Sequence, residues 1–201
     1  MNKLHFVEED GKDVPARKKE LRVYMKSRRA ETENRDVKET FAVENVAALI
    51  DSLFLKTKGA GMRRKAFVYL SYSSEMPTDR LIERLLACDV EVYCPRMEKD
   101  GMSAVRYGED FTLSSRGIRE PVGEVYDGAM DFAIVPLLAV DKQGNRLGYG
   151  GGCYDAYFSK HPQTTRIAYC FETQILKSVP HTDTDVKMQY IITESRTLTV
   201  E

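Results

Sequence analysis

The apolar positions of this chain follow two periods, and the switch between them predicts the fold. Over residues 16–32 good helix formers dominate, and Leu21, Tyr24 and Met25 recur near helical spacing. Residues 36–55 predict a second helix, because Phe41, Val43, Val46, Ala47, Ile50, Leu53 and Phe54 make a broad apolar stripe. The run KTKGAGMRRK that follows reads as a loop. Shorter apolar segments then begin. Residues 66–71 (AFVYLS) predict a strand, and Pro77 stands where a helix over 78–87 would start. Residues 90–94 predict a strand stopped by Pro95, and 103–107 a shorter one. Residues 111–127, rich in glycine, serine and charge, read as a long surface connection. Strands at 132–135, 166–171 and 188–193 complete the pattern, with a glycine loop and a helix-like stretch after the first of them. Strands alternating with helices predict a single α/β domain: a mostly parallel central sheet flanked by helices, preceded by two N-terminal helices. Residues 1–15 are polar and read as an irregular leader, leaving 16–201 as the domain.

Composition narrows the function. The 201 residues suffice for one buried core, and 42% hydrophobic with 30% charged residues is ordinary for a soluble globular protein. A net charge of −1 gives no global basic field, which argues against nucleic acid or a membrane surface as a partner. No apolar run approaches the roughly 20 residues of a membrane helix, and the first residues lack the apolar core of a secretory signal. Cys88, Cys94, Cys153 and Cys170 form no CxxC and have no histidine at zinc spacing, so they read as reduced thiols of a cytoplasmic protein. His5, His161 and His181 are scattered and take no catalytic role.

Four places carry candidate chemistry. The first is the run from Asp131 to Phe158, where a strand, a loop with Asp141, Arg146, Gly148, Gly150, Gly151 and Gly152, and a helix follow in order. Glycines let main-chain N–H groups close on an anion, and the helix offers its positive end. The spacing matches neither a P-loop nor a dinucleotide fingerprint, and glycines alone also suit a tight turn. Arg146 adds a fork of donors suited to phosphate. Asp155 suits Mg2+, or else simply favours the helix dipole. The second place is the basic helix, where Lys18 and Arg22 share a face that would grip a polyphosphate or stand solvated. The third is Glu75, just past a buried strand, where open α/β sheets build their sites. The fourth is HTDTDVK, from which Asp183 or Asp185 would join Asp155 on a metal.

Together these residues resemble the 5-formyltetrahydrofolate cyclo-ligase (methenyltetrahydrofolate synthetase) family. The resemblance runs through Lys18-Lys19-Glu20-Leu21-Arg22, the YLSYSSEMPT run from Tyr69 to Thr78, Glu120-Pro121, and the long motif ending RLGYGGGCYD. It implies an enzyme that uses ATP and Mg2+ to convert 5-formyltetrahydrofolate to 5,10-methenyltetrahydrofolate. It further implies small-molecule substrates, a cytoplasmic setting and no nucleic-acid or membrane partner. By position, the resemblance assigns Lys18, Arg146 and Tyr154 to catalysis. ATP binding falls to Lys18, Lys19, Glu20, Leu21 and Arg22, with Arg146, Leu147, Gly148, Tyr149, Gly150, Gly151, Gly152, Cys153 and Tyr154. Folate binding falls to Leu70 and Glu75, with Tyr149, Gly150, Gly151, Gly152 and Cys153. Asp155 and Asp185 would ligate the metal.

Two positions depart from the family pattern. Cys153 stands where a tyrosine is usual, and Leu137 follows Val135-Pro136 where a glycine is usual. Either a left-handed residue is not needed at Leu137 or the turn is rearranged. Two other readings stay open: a non-catalytic homologue that binds nucleotide or folate, and a related ligase for another formylated or pterin-like compound. The sequence leaves the oligomeric state open, a monomer included.

Overall fold

A computed structural model describes residues 13–55 and 63–200 of the protein. Helix α1, Val14–Ala30, starts with a proline in its first turn and ends with Arg28 and Arg29 in its last, both favourable placements. Val14 and Pro15 therefore belong to the helix and not to the expected leader, of which residues 1–12 lie outside the described residues. The buried face of α1 is Leu21, Met25 and Arg29, spaced by four. Helix α2, Arg35–Ile50, passes into a π-helical turn at Asp51–Leu55, so the predicted single helix ends in a wider coil. Most of the expected loop after it, residues 56–62, lies outside the described residues, and Arg64 and Lys65 already belong to the first strand.

The remaining elements are β1 Arg64–Val68, α3 Asp79–Ala87, β2 Val90–Glu98, β3 Gly101–Arg106, β4 Phe111–Leu113, β5 Arg119–Pro121, β6 Val125–Tyr126, β7 Phe132–Val135, β8 Ala139–Asp141, β9 Arg146–Leu147, α4 Cys153–Lys160, β10 Thr165–Tyr169, β11 Ile175–Leu176, β12 Tyr190–Ile192 and β13 Thr197–Thr199. The main sheet has the order β13-β12-β10-β7-β1-β2-β3-β6. The five strands from β12 to β2 run parallel, β13 and β3 run against them, and β6, antiparallel to β3, returns to their direction. All four residues of β7 are buried, as expected of a strand covered on both faces.

Alternate side chains feed two cores. Ala66, Val68, Phe132 and Ile134 point toward α2 and α3, meeting Val46, Ile50, Leu81 and Leu85. Phe67, Ala133, Val135 and Ala168 point the other way, toward Tyr157 and Phe158 of α4. A third cluster fixes the functional geometry. Leu21 and Met25 of α1 pack on Leu138, Ala139, Leu147 and Val179, around the small sheet β11-β8-β9 that extends β7. Burying Leu21 and Met25 contributes about 1.5–3 kcal/mol each, and it lays α1 beside the glycine loop.

Two expectations are corrected here. Pro95 does not stop its strand, because β2 runs on to Glu98. Pairing with β1 ends at Tyr93, and the Pro95–Ala104 pair falls between hydrogen-bonded positions of the β2–β3 ladder, so the missing N–H breaks no bond. Residues 111–127 are not a bare connection, since β4 and β5 form a hairpin and β6 closes the sheet. Phe111 anchors that hairpin by packing on Tyr107, and Arg119 lies over the Phe111 ring.

Candidate active site

The site gathers beyond the carboxyl ends of the parallel strands, where an open α/β sheet leaves a crevice. After β1 the chain closes a tight loop. The Tyr69 hydroxyl donates to the Met76 carbonyl (2.7 Å), and the buried Thr78 hydroxyl donates to the Tyr69 carbonyl (2.9 Å) while accepting from the Ser71 N–H (3.1 Å). Thr78 therefore ties the loop instead of capping α3. The product is a fixed Glu75, 8% exposed. One carboxylate oxygen accepts from the Tyr72 N–H (2.8 Å) and the other from the Tyr149 hydroxyl (2.6 Å). Burial raises the Glu75 pKa above the usual carboxylate value, while these two bonds and the Arg29 charge work against that rise.

The β8–β9 hairpin delivers Arg146. Asp141, buried at its turn, accepts from the N–H groups of Gln143, Asn145 and Val179 and from the Asn145 side chain. Its role is thus to hold the turn. Gly144 is required there, with φ +81° and a would-be Cβ only 2.5 Å from the Met188 carbonyl. Arg146, 7% exposed, donates from Nη2 to both oxygens of Asp155 (3.1 and 3.2 Å). Its guanidinium lies 5.5 Å from the Tyr154 ring centroid. Burial, followed by the charge of Glu75, raises the Tyr154 phenol pKa. The buried Arg146 Nε has no hydrogen-bond partner among the described residues. Gly152, in the left-handed region, precedes α4, and Cys153 is the first residue of that helix.

Helix α1 brings the other cations. Lys18 Nζ lies 2.5 Å from Asp185 Oδ2, and Arg22 Nε donates to the Gly148 carbonyl at 2.9 Å. The Val186 N–H donates to Asp155 (3.1 Å), so Asp155 and the Asp185–Val186 peptide meet. Burial opposes ionisation of Asp185, but the Lys18 and Thr182 hydrogen bonds outweigh it and lower its pKa. Asp183 is exposed and stands apart from these bonds. Among the described residues no cluster of three or more acidic, histidine or cysteine side chains forms a metal cage. The carboxylates of Asp155 and Asp185 are the hard oxygen donors here that could hold a divalent ion such as Mg2+.

Other sequence-assigned residues divide by burial. Leu21, Leu147 and Leu70 have side chains in the core, which leaves them main-chain or edge contacts with a ligand. Lys19 and Glu20 are exposed on α1, away from the packed face that carries Leu21. Leu137 has ordinary backbone, since the described non-glycine residues at positive φ are Asn34, Ser73 and Asp89. No left-handed glycine is needed after Pro136. The Leu137 carbonyl instead accepts from Arg29 (3.0 Å) and from Gln174 (2.9 Å).

Arg29 is the residue that sequence reasoning passed over. It is 3% exposed and donates to the Ser74 hydroxyl (3.1 Å), the Leu137 carbonyl and the Tyr149 hydroxyl (2.7 Å). The signal was its spacing: Leu21, Met25 and Arg29 lie one above another, and a cation on a buried stripe needs partners.

Residues 14–194 match the 5-formyltetrahydrofolate cyclo-ligase family. The chain is 28% identical over 146 residues to the 5-formyltetrahydrofolate cyclo-ligase of Escherichia coli K12, covering 67% of this chain and 80% of that one. It is 30% identical over 154 residues to a probable 5-formyltetrahydrofolate cyclo-ligase of Caenorhabditis elegans, covering 67% and 75%. The NMR structure of the Aquifex aeolicus 5,10-methenyltetrahydrofolate synthetase shares the fold, with a TM-score of 0.74 at 24% identity over 92% of this chain and 93% of that one.

Proposed function

The chain belongs to the 5-formyltetrahydrofolate cyclo-ligase family, and from that membership we propose that it uses ATP to convert 5-formyltetrahydrofolate to 5,10-methenyltetrahydrofolate, releasing ADP and phosphate. The observation that carries this reading is the convergence of Lys18, Arg22 and Arg146 on Asp155, Asp185 and the glycine loop, with buried Glu75 linked to the same loop through Tyr149.

The chemistry follows from what the substrate lacks. A formamide oxygen is a poor leaving group. Attack by that oxygen on the γ-phosphorus, with loss of ADP, turns it into a phosphate ester. N10 then closes on the formyl carbon, the C–O bond breaks with inorganic phosphate leaving, and the N10 proton is lost. Phosphoryl transfer of this kind needs positioning and charge compensation more than a protein nucleophile. Lys18 and Arg22 would take the phosphates from α1, and Arg146 with the N–H groups of residues 148–152 would wrap them from the other side. Lys18 and Arg146 pair with Asp185 and Asp155, so phosphates that took these two cations would leave both carboxylates in need of another cation. Asp155 and Asp185 are then available to Mg2+, which when bound would neutralise charge on the triphosphate. Glu75 would accept from the pterin N–H groups, with the main chain or edge of Leu70 beside the ring. Tyr154, whose ring lies under the Arg146 guanidinium, would border both substrates.

Residues 16–201 would act as one catalytic unit on small molecules, in the cytoplasm. Among the described residues no helix is long and apolar enough to cross a membrane. The direct test is to incubate the protein with 5-formyltetrahydrofolate, ATP and Mg2+ and follow methenyltetrahydrofolate absorbance. Product that requires ATP is the expected result. No product from folded, ATP-binding protein would reject the reading.

A further inference from the structure

The Arg29–Tyr149–Glu75 chain of hydrogen bonds joins α1, the glycine loop and the loop after β1. Arg29 lies on the same face of α1 as Lys18 and Arg22, three turns and ~16 Å along the helix from Lys18. Its guanidinium donates to Ser74 beside Glu75, to the turn after β7 through Leu137, and to the glycine loop through Tyr149. Tyr149 is 42% exposed, yet its hydroxyl turns inward, accepting from Arg29 and donating to Glu75. A phenol bonded on both sides in this way transmits position, because it satisfies both neighbours only in one place.

Resting on the functional reading above, we propose that Arg29 is a positioning residue for folate, acting through Tyr149 on Glu75 and tying the order of the glycine loop to the folate site. Each Glu75 oxygen spends one acceptor direction on the protein, on Tyr72 or on Tyr149, and keeps another for a bidentate donor such as a pterin edge. Tyr149 thereby fixes the plane of the carboxylate. Since Tyr149 lies between Gly148 and Gly150, a nucleotide that orders those glycines also orders the phenol. A cation at Arg29 that served only to fill the core would need none of this, and two of its three bonds would not end beside the same carboxylate.

The charged and titratable groups around Glu75 are few. Arg29 faces it from α1, Tyr149 from the glycine loop, Tyr69 from the end of β1 and Tyr154 from α4, while Arg35 of α2 binds its main-chain carbonyl. Of these, Tyr149 and Arg29 favour the carboxylate form.

The experiment uses the full chain and two variants, Tyr149→Phe, which removes one oxygen at a half-exposed position, and Arg29→Lys, which keeps the charge and loses the fork. Losing a hydrogen bond to a charged group should raise the folate KM ~10-fold or more. The ATP KM should stay within about threefold, and the acid limb of kcat/KM for folate should move to higher pH. In wild type an unhydrolysable ATP analogue should tighten folate binding, and in Tyr149→Phe that tightening should fall to a factor of one. Folded variants with a lower Tm but an unchanged KM ratio and pH profile would overturn the proposal. So would an unchanged nucleotide effect in Tyr149→Phe, or none in wild type. A wild-type protein without cyclisation activity would instead reject the functional reading, which keeps the two failures apart.

Discussion

Lys18 and Asp185, 167 positions apart in sequence, are joined by a 2.5 Å contact between ammonium and carboxylate. One contributes from the first helix and the other from the loop before β12, so the pair closes the site across the whole chain. Each is partly buried, with side-chain exposures of 13% and 21%, and neither can be stranded without cost. Phosphate can therefore displace Asp185 from Lys18 only if Asp185 finds another cation. Lys18→Ala should raise the ATP KM ~10-fold or more while leaving the folate KM near wild type. Initial rates over a matrix of both substrates decide it, and unchanged cyclisation at sub-saturating ATP would remove Lys18 from the phosphate site.

Arg146 is the next case, because it pairs with Asp155 in the fold and is also proposed to bind phosphate. Removing it leaves Asp155 with the Val186 N–H and no cation. A fully buried pair broken in this way loses about 3–5 kcal/mol, but Asp155 is 23% exposed and partly screened, so Arg146→Ala should cost about 2 kcal/mol. Arg146→Lys should recover most of that stability and little activity, since an ammonium lacks the planar fork that a phosphate meets. Thermal melts and kcat at saturating ATP separate the two effects. If lysine restored both, the bidentate geometry would be irrelevant.

The sequence disclosed most of the sheet because parallel strands buried on both faces read as plain apolar runs, as at Phe132–Val135. It disclosed the charged residues near the glycine loop through their spacing. It did not disclose the β4–β5 hairpin, whose strands are three residues each, with one buried residue between them and no alternation to betray them. Nor did it show Arg29 for what it is, because a cation among seven on one helix carries no mark of burial until the partner surface is known. Pro95 misled for a related reason, since whether a proline ends a strand depends on which edge has a neighbour.

Glu75 offers a test through pH. Burial first, partly offset by the Tyr149 and Tyr72 hydrogen bonds and by Arg29, raises its folded pKa. A carboxyl whose folded pKa is raised binds its proton more tightly when folded. Its contribution to stability is therefore complete below the unfolded value of about 4.3 and is lost as pH rises through the folded value. Glu75→Gln removes this dependence. The melting temperature of Glu75→Gln relative to wild type should improve between acid and neutral pH, while the folate KM rises ~10-fold or more. A difference in melting temperature that ran the opposite way with pH would mean that the carboxylate is stabilised by its surroundings.

Gly150 tests the loop itself. Its φ is +101°, and a Cβ there would lie 3.2 Å from the Arg22 guanidinium carbon. Gly150→Ala thus combines backbone strain of about 1–3 kcal/mol with pressure on Arg22, the proposed phosphate ligand, which already bonds the Gly148 carbonyl. The expected result is a raised ATP KM that Gly152→Ala does not match through sterics, because nothing lies within 4 Å of a Cβ at Gly152 and only its φ of +67° resists. Equal effects from the two substitutions would show that backbone conformation alone matters.

The metal gives the last test. Asp155 and Asp185 already hold Arg146 and Lys18, and among the described residues no third acidic, histidine or cysteine group joins them. A pair so engaged should bind Mg2+ weakly by itself, whereas triphosphate oxygens that draw off the two cations would free the carboxylates and add ligands of their own. Mg2+ alone should leave the melting temperature unchanged, ATP alone should raise it modestly, and both together should raise it more than the sum, since a ligand stabilises only as far as it binds the folded state. Asp155→Asn should abolish the extra increment and keep the effect of ATP alone. A melting temperature that rose with Mg2+ in the absence of nucleotide would place a complete metal site in the protein itself.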